Sequence, residues 1–228
     1  MSQFKTISHN DVDGLEIARF KEMDYYAVEE YDLPIELMME NAGLQLATLI
    51  NFLVEKSAII QIGVGNGNNG GGGLVAARRL AAWGYNVSLD IPLGITKKLP
   101  KSQLNRALKF GAKLAIIDAP EVWVDAYLGF SQRLPLPASY QHRIEQANKS
   151  NALKISLDIP TGFLGNSDDI YFKVNHVLSL AAAKKILSKL PSEATIYLAD
   201  LGLPKVVYDK FGVTFPPFNN STILKIES

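Results

Sequence analysis

Ala58-Ile59-Ile60-Gln61-Ile62-Gly63-Val64-Gly65-Asn66-Gly67-Asn68-Asn69-Gly70-Gly71-Gly72-Gly73-Leu74-Val75-Ala76-Ala77-Arg78-Arg79-Leu80 is the stretch that decides the fold. Residues 58–64 form an apolar run that reads as a strand, and 74–80 read as the start of a helix. Seven of the chain's 17 glycines fall between Gly63 and Gly73. Glycine permits positive φ and close backbone approach, and a helix beginning after such a turn aims free N–H groups and its positive dipole end at whatever the turn holds. Strand-to-helix connections usually need only about 2 to 6 residues. The excess points to an anion held by the turn, and residues 65–73 are expected to hold a phosphate-bearing nucleotide.

Outward from this turn the chain continues as short apolar runs at 87–91, 114–117, 122–128, 155–159, 177–180 and 196–198. They lack strict alternation, as strands covered on both faces do, and helical segments at 74–83, 103–110 and 140–149 supply the cover. Upstream, 14–31 reads as an amphipathic helix with an acidic outer face. Pro34 opens a second helix over 35–54 that is largely apolar except for Glu40 and Asn41, which need partners. The tail 213–228 carries no readable pattern. The expected fold is one α/β domain over 1–228: a Rossmann-like, doubly wound, mainly parallel sheet preceded by two N-terminal helices.

The composition narrows the function. The 23 basic and 23 acidic side chains cancel, so no whole-protein field draws the chain to nucleic acid or anionic lipid. The absence of cysteine removes disulfides, thiolate nucleophiles and sulfur-ligated zinc, and fits a reducing location. The first residues are polar, and no stretch approaches the roughly 20 apolar residues a membrane span needs. A cytoplasmic protein is expected.

Gly65, Gly67 and Gly70 satisfy the GxGxxG fingerprint, and Asp90 closes the next strand where an acid would meet a ribose hydroxyl, so an NAD-dependent dehydrogenase stays open. Against it stand the two preceding helices and the amide pair Asn68-Asn69, which a pyrophosphate turn does not need. No GK[ST] follows the glycines, so the phosphoryl-transfer lysine and magnesium hydroxyl are missing. Asp125 and Asp158 each sit on a strand that runs into a turn, at Gly129-Phe130-Ser131 and at Ile159-Pro160-Thr161-Gly162. Ligands of open parallel sheets bind outside the carboxyl ends of the strands. A lone Asp there also serves as a cap or turn former; these two ends and the glycine turn together would line one crevice. His9, His142 and His176 show no ligand spacing, and no GxSxG elbow is present. Asn, Asp and Thr oxygens are hard ligands, suited to an alkali or alkaline-earth cation.

Taken together, Met39-Glu40-Asn41-Ala42-Gly43, Gly67-Asn68-Asn69-Gly70-Gly71, Leu74-Val75-Ala76-Ala77-Arg78, Val124-Asp125-Ala126, Gly129-Phe130-Ser131, Asp158-Ile159-Pro160-Thr161-Gly162 and Asp200-Leu201-Gly202-Leu203-Pro204 resemble the YjeF N-terminal domain family. Its best understood members are NAD(P)H-hydrate epimerases. The resemblance implies that the chain binds NADHX or NADPHX, the hydrated forms of the reduced cofactors, and interconverts their epimers for a separate NAD(P)H-hydrate dehydratase. It further implies that Asn68, Asn69, Gly70, Gly71 and Gly72 hold the ligand's phosphates, and that Asn69, Asp125 and Thr161 ligate a potassium ion. Gly129, Phe130 and Ser131 would line the pocket, Asp158 would touch the hydrated nicotinamide, and Lys184 matches a family lysine. A homodimer through the aromatic N-terminal helix is plausible on the same ground.

The implied chemistry needs little. The hydroxyl on the hydrated carbon neighbours the ring nitrogen, whose lone pair expels it once it is protonated, and water returns to the other face. One acid/base, contributing about 10²- to 10⁴-fold, serves this scheme, and Asp158 is the candidate catalytic residue. Two positions depart from the family pattern. Gly72 stands where the loop usually carries Asp, and Thr161 where serine is usual. Loss of the loop acid is expected to remove a charge capping a helix that starts near Leu74. It keeps open a non-catalytic nucleotide-binding or scaffold member of the family.

Overall fold

The computed structural model describes residues 4–9, 12–165 and 170–227. In chain order the elements are β1 (Lys5–Ser8), α1 (Ile17–Glu30), α2 (Ile35–Leu53), β2 (Ile59–Val64), α3 (Asn68–Ala82), β3 (Asn86–Asp90), α4 (Lys98–Lys109) and β4 (Lys113–Leu114). They continue as β5 (Val122–Ala126), α5 (Ala138–Lys149), β6 (Leu153–Leu157), β7 (His176–Leu180), β8 (Thr195–Ala199), α6 (Lys205–Lys210) and β9 (Ile223–Glu227). The nine strands form one sheet in the order β1-β9-β8-β7-β6-β5-β2-β3-β4. Every pairing is parallel except β8 with β9.

Burial on both faces explains why the strands read as unbroken apolar runs. In β5, Val122 and Val124 join α2, α3 and the neighbouring strands in the main core, while Trp123 faces the other way onto Ile144 and Ala147 of α5. Leu46, Leu49 and Ile50 of α2 are wholly buried in that main core, each worth roughly 1.5–3 kcal/mol against exposure. Helices α2 and α3 pack closely, and a Cβ on Gly43 would stand 2.4 Å from the Cβ of Val75. Only glycine admits that approach, which accounts for the end of the Met39–Gly43 motif. The polar pair beside it is satisfied: Glu40 pairs with Arg78 and Arg79, and Asn41 donates to the Leu201 carbonyl at 2.9 Å.

Three expectations are corrected. The two N-terminal helices are themselves preceded by β1, and the unreadable tail contains β9, its parallel partner. The helix expected near Leu74 begins at Asn68, so four of the glycines lie inside its first turns. The run expected at 114–117 keeps ladder pairing only over Lys113–Leu114. Among the described residues no helix is long and apolar enough to cross a membrane.

Candidate functional site

Chain order reverses between β2 and β5. After β2 the chain steps outward to β3 and β4, then returns to place β5 on the other flank of β2. This switch point leaves a crevice outside the carboxyl ends, and the helix that follows β2 starts there. A Cβ on Gly70 would stand 1.9 Å from the Gly65 carbonyl oxygen, so α3 can begin against the β2 turn only with glycine at that position. With Gly67 as N-cap, the N–H groups of the first turn point out of the helix end without intrahelical partners.

Asn69 does not reach outward like its neighbour. Its Nδ2 donates to the carbonyls of Leu128 at 2.7 Å and Leu157 at 3.1 Å, stitching α3 to the ends of β5 and β6. Beneath it Asp125 is fully buried and accepts four hydrogen bonds, from the Tyr127 N–H, the Ser156 hydroxyl, and both the N–H and the hydroxyl of Thr161. Burial pushes its carboxyl up to about 6 against the opposing pull of those donors. Among the described residues no cationic side chain pairs with it. The Thr161 hydroxyl accepts in turn from the Leu128 N–H at 3.1 Å, so Asn69, Asp125, Thr161 and the strand-end carbonyls form one oxygen-rich knot.

Asp158 directly follows β6 with φ at +73°, a left-handed conformation costly for a non-glycine residue and tolerated best by Asp and Asn. Its Oδ2 accepts the Phe130 N–H at 3.0 Å, and its Oδ1 lies 2.8 Å from Nζ of Lys184. The second contact is an ion pair more than an aligned hydrogen bond, since the ammonium directs donors to the Leu180 carbonyl and the Ser179 hydroxyl. Lys184 is completely enclosed, with Phe20 of α1 beneath it at 3.7 Å from Nζ to ring centroid. Burial draws its amine below the ordinary lysine range, while Asp158 and Asp24 oppose that shift.

A cleft of about 520 Å³ opens over these ends. Asn68, Asn69, Gly72, Gly129, Phe130, Ser131 and Asp158 all border it, whereas three other candidate binding residues do not. Gly70 is packed on the Gly65 backbone, Gly71 lies under Met39 with its N–H spent on the Gly67 carbonyl, and Lys184 sits behind Asp158. Gly70 and Gly71 let α3 start close to its neighbours, and Lys184 braces Asp158. Asp90 is corrected as well: it is buried, accepts from the Tyr127 hydroxyl at 2.6 Å and pairs with Nε of Arg143 at 3.1 Å. A carboxylate so committed is not free to take the ribose of a dehydrogenase cofactor.

Sequence reasoning missed Asp24. Nothing in the local pattern of α1 distinguishes it from the acids of the outer face, yet it borders the cleft beside Tyr25. Burial pushes its carboxyl up to about 6, against a lowering influence of Lys184 and reinforced by Asp158.

The model of the family described as YjeF-related protein N-terminus matches residues 35–186. An NAD(P)H-hydrate epimerase of Rhodopirellula baltica is 32% identical over 213 residues, 86% of each chain. One from Aedes aegypti is 29% identical and covers 88% of this chain and 93% of its own. A bifunctional NAD(P)H-hydrate repair enzyme of Thermofilum pendens is 32% identical over 168 residues, which is 32% of its length. The fold is shared with the crystal structure of yeast ynu0, at a TM-score of 0.84 and 23% identity over 94% of this chain and all of that one.

Proposed function

We propose, from the premise that this chain belongs to the family of YjeF-related protein N-termini, that it is an NAD(P)H-hydrate epimerase acting on NADHX or NADPHX. The observation that carries the reading is Asp158 on the cleft wall, backed by buried Lys184 and beside the open first turn of α3. The N–H groups of that turn bind the phosphates of the nucleotide, and Gly129, Phe130 and Ser131 flank the hydrated ring. Asp158, held by Lys184 and the Phe130 N–H, exchanges a proton with the hydroxyl or with the incoming water. Loss of the hydroxyl as water takes the C–O electron pair with it, and the ring nitrogen's lone pair forms the C=N bond. Water adding to the opposite face completes the inversion.

A single NADHX epimer incubated with the protein and followed by chromatography is expected to become a mixture of both. An unchanged epimer would leave the non-catalytic, nucleotide-binding reading in its place.

A potassium ion at the knot under Asn69 is part of this reading. What supports it is that the Asp125 carboxylate, the Thr161 hydroxyl and the Leu128 and Leu157 carbonyls are hard oxygens, and that no cationic side chain among the described residues offsets the fully buried Asp125. Asn69, Asp125 and Thr161 would hold the ion, and what it supplies is one positive charge beside the phosphate end of the cleft. Melting in potassium is expected to exceed melting in a bulky organic cation at equal ionic strength. Equal melting temperatures, with and without nucleotide, would argue against the ion. The product passes to a dehydratase, an activity the name of the bifunctional relative joins to this one. The protein works in the cytoplasm, and a homodimer would use the exposed Tyr25 within α1 and Tyr31 just beyond its end.

A further inference from the structure

We infer that Asp24 is a second catalytic carboxyl group, the proton carrier that serves the face of the substrate Asp158 does not. The inference rests on the epimerase reading and begins from its stereochemistry. Hydroxyl leaves from one face of the ring and water arrives at the other, so one proton must be delivered and one removed on opposite sides. Asp158 sits in the wall made by the strand ends, fixed by Lys184 at 2.8 Å and the Phe130 N–H at 3.0 Å, and cannot attend both faces.

Another part of the cleft border comes from α1, through Asp24 and Tyr25. Phe20 and Asp24 lie one turn apart on that helix and share a face. Phe20 is fastened in place, edge-on to Phe130 at 5.2 Å between centroids and over the Lys184 ammonium. That anchor carries Asp24 to the cleft, where it and Asp158 are the two carboxyl groups among the bordering residues. Among the described residues no hydrogen bond or ion pair ties Asp24 down, in contrast to Asp158, Asp125 and Asp90. The charged groups that act on it are Lys184 and Asp158. Those of the neighbouring α6 are turned elsewhere, Lys205 to Asp209 and Lys210 to the ring of Tyr26. A carboxyl group that is half-buried, unpaired and protonated up to about pH 6 is suited to giving a proton.

The step balances. Asp24 gives its proton to the departing hydroxyl, which leaves as water with the C–O bonding electrons while the nitrogen lone pair forms C=N. Water attacks the opposite face, returns that electron pair to nitrogen, and gives a proton to Asp158. The reverse epimer uses the same pair with the roles exchanged, and solvent resets the protons between turnovers.

The test compares wild type, Asp24→Asn and Asp24→Glu in the conversion of one NADHX epimer, with kcat/KM measured from pH 5 to 9. The acid form of Asp24 is lost as pH rises through about 6, so wild-type kcat/KM should fall above that pH, by up to about tenfold per unit. Asp24→Asn should be at least about 100-fold slower at pH 6 and lack that limb, and Asp24→Glu should retain the limb and most of the rate. Burial penalises the charge at position 24, so the stability Asp24 contributes is present below its unfolded pKa and lost as pH rises through about 6. Asp24→Asn should therefore melt no lower than wild type at pH 8, which separates lost chemistry from lost folding. Wild-type conversion with an Asp24→Asn rate within about threefold and an unchanged limb would overturn the role of Asp24 alone. Absence of conversion by wild type would overturn the epimerase reading and this inference together.

Discussion

Asp158→Asn is expected to slow epimerisation by at least about 100-fold and to destabilise the protein at the same time. The backbone survives the change, because asparagine tolerates the left-handed conformation that Asp158 adopts at φ +73°. Lys184 does not survive it unharmed. Its side chain is 0% exposed and loses its counter-charge, and removing one partner of a buried pair costs about 3–5 kcal/mol. The double variant Asp158→Asn/Lys184→Met removes the orphaned ammonium and should regain most of the stability but none of the turnover. Thermal melts and the single-epimer assay on wild type and the two variants separate the two effects. Wild-type turnover in Asp158→Asn would make Asp158 a turn residue and dismiss the mechanism.

Gly72→Asp, which restores the acid common in the family's loop, is expected to lower the melting temperature. The expectation from sequence ran through a helix starting near Leu74, where an acid at 72 would cap free N–H groups. With α3 starting at Asn68, residue 72 is one turn inside the helix, beyond those groups. A Cβ there would stand 3.0 Å from Cδ2 of Leu157 and 3.7 Å from Cβ of Ala42, so the carboxylate enters apolar surroundings at the edge of the cleft. Overpacking of this kind costs about 1–3 kcal/mol, several degrees for a chain of this length. Gly72→Ala makes the same Cβ contact without the charge and gains roughly 0.5–1 kcal/mol of helix preference, so it should lie close to wild type. A Gly72→Asp protein that melts above Gly72→Ala and turns over faster would show that the carboxylate has found a partner in the cleft.

The sequence by itself determined the parallel core of the sheet and the crevice over its carboxyl ends. Strands covered on both faces must be apolar at successive positions, so β2, β3, β5, β6, β7 and β8 could be read one at a time from their own residues. Asp125, Asp158 and Thr161 were legible because each closes or follows such a strand. Local signals did not extend to elements defined by distant partners. β1 is a strand because Lys5 to Ser8 find Leu224 to Glu227 across the whole length of the chain. The start of α3 was equally hidden. Glycines disfavour a helix by propensity, and what overrides that cost is the close approach of Gly65, Met39 and Ala126, each of which a side chain would block.

Only the tertiary structure decided which acid does what. Asp90, Asp125, Asp158 and Asp24 are the same residue type in unremarkable local contexts. Packing gave Asp90 a tyrosine and an arginine, Asp125 four hydrogen-bond donors, Asp158 a buried lysine, and Asp24 a place on the cleft border. A carboxyl group's chemistry is set by the charges, donors and solvent around it, and those come from segments far away in the chain.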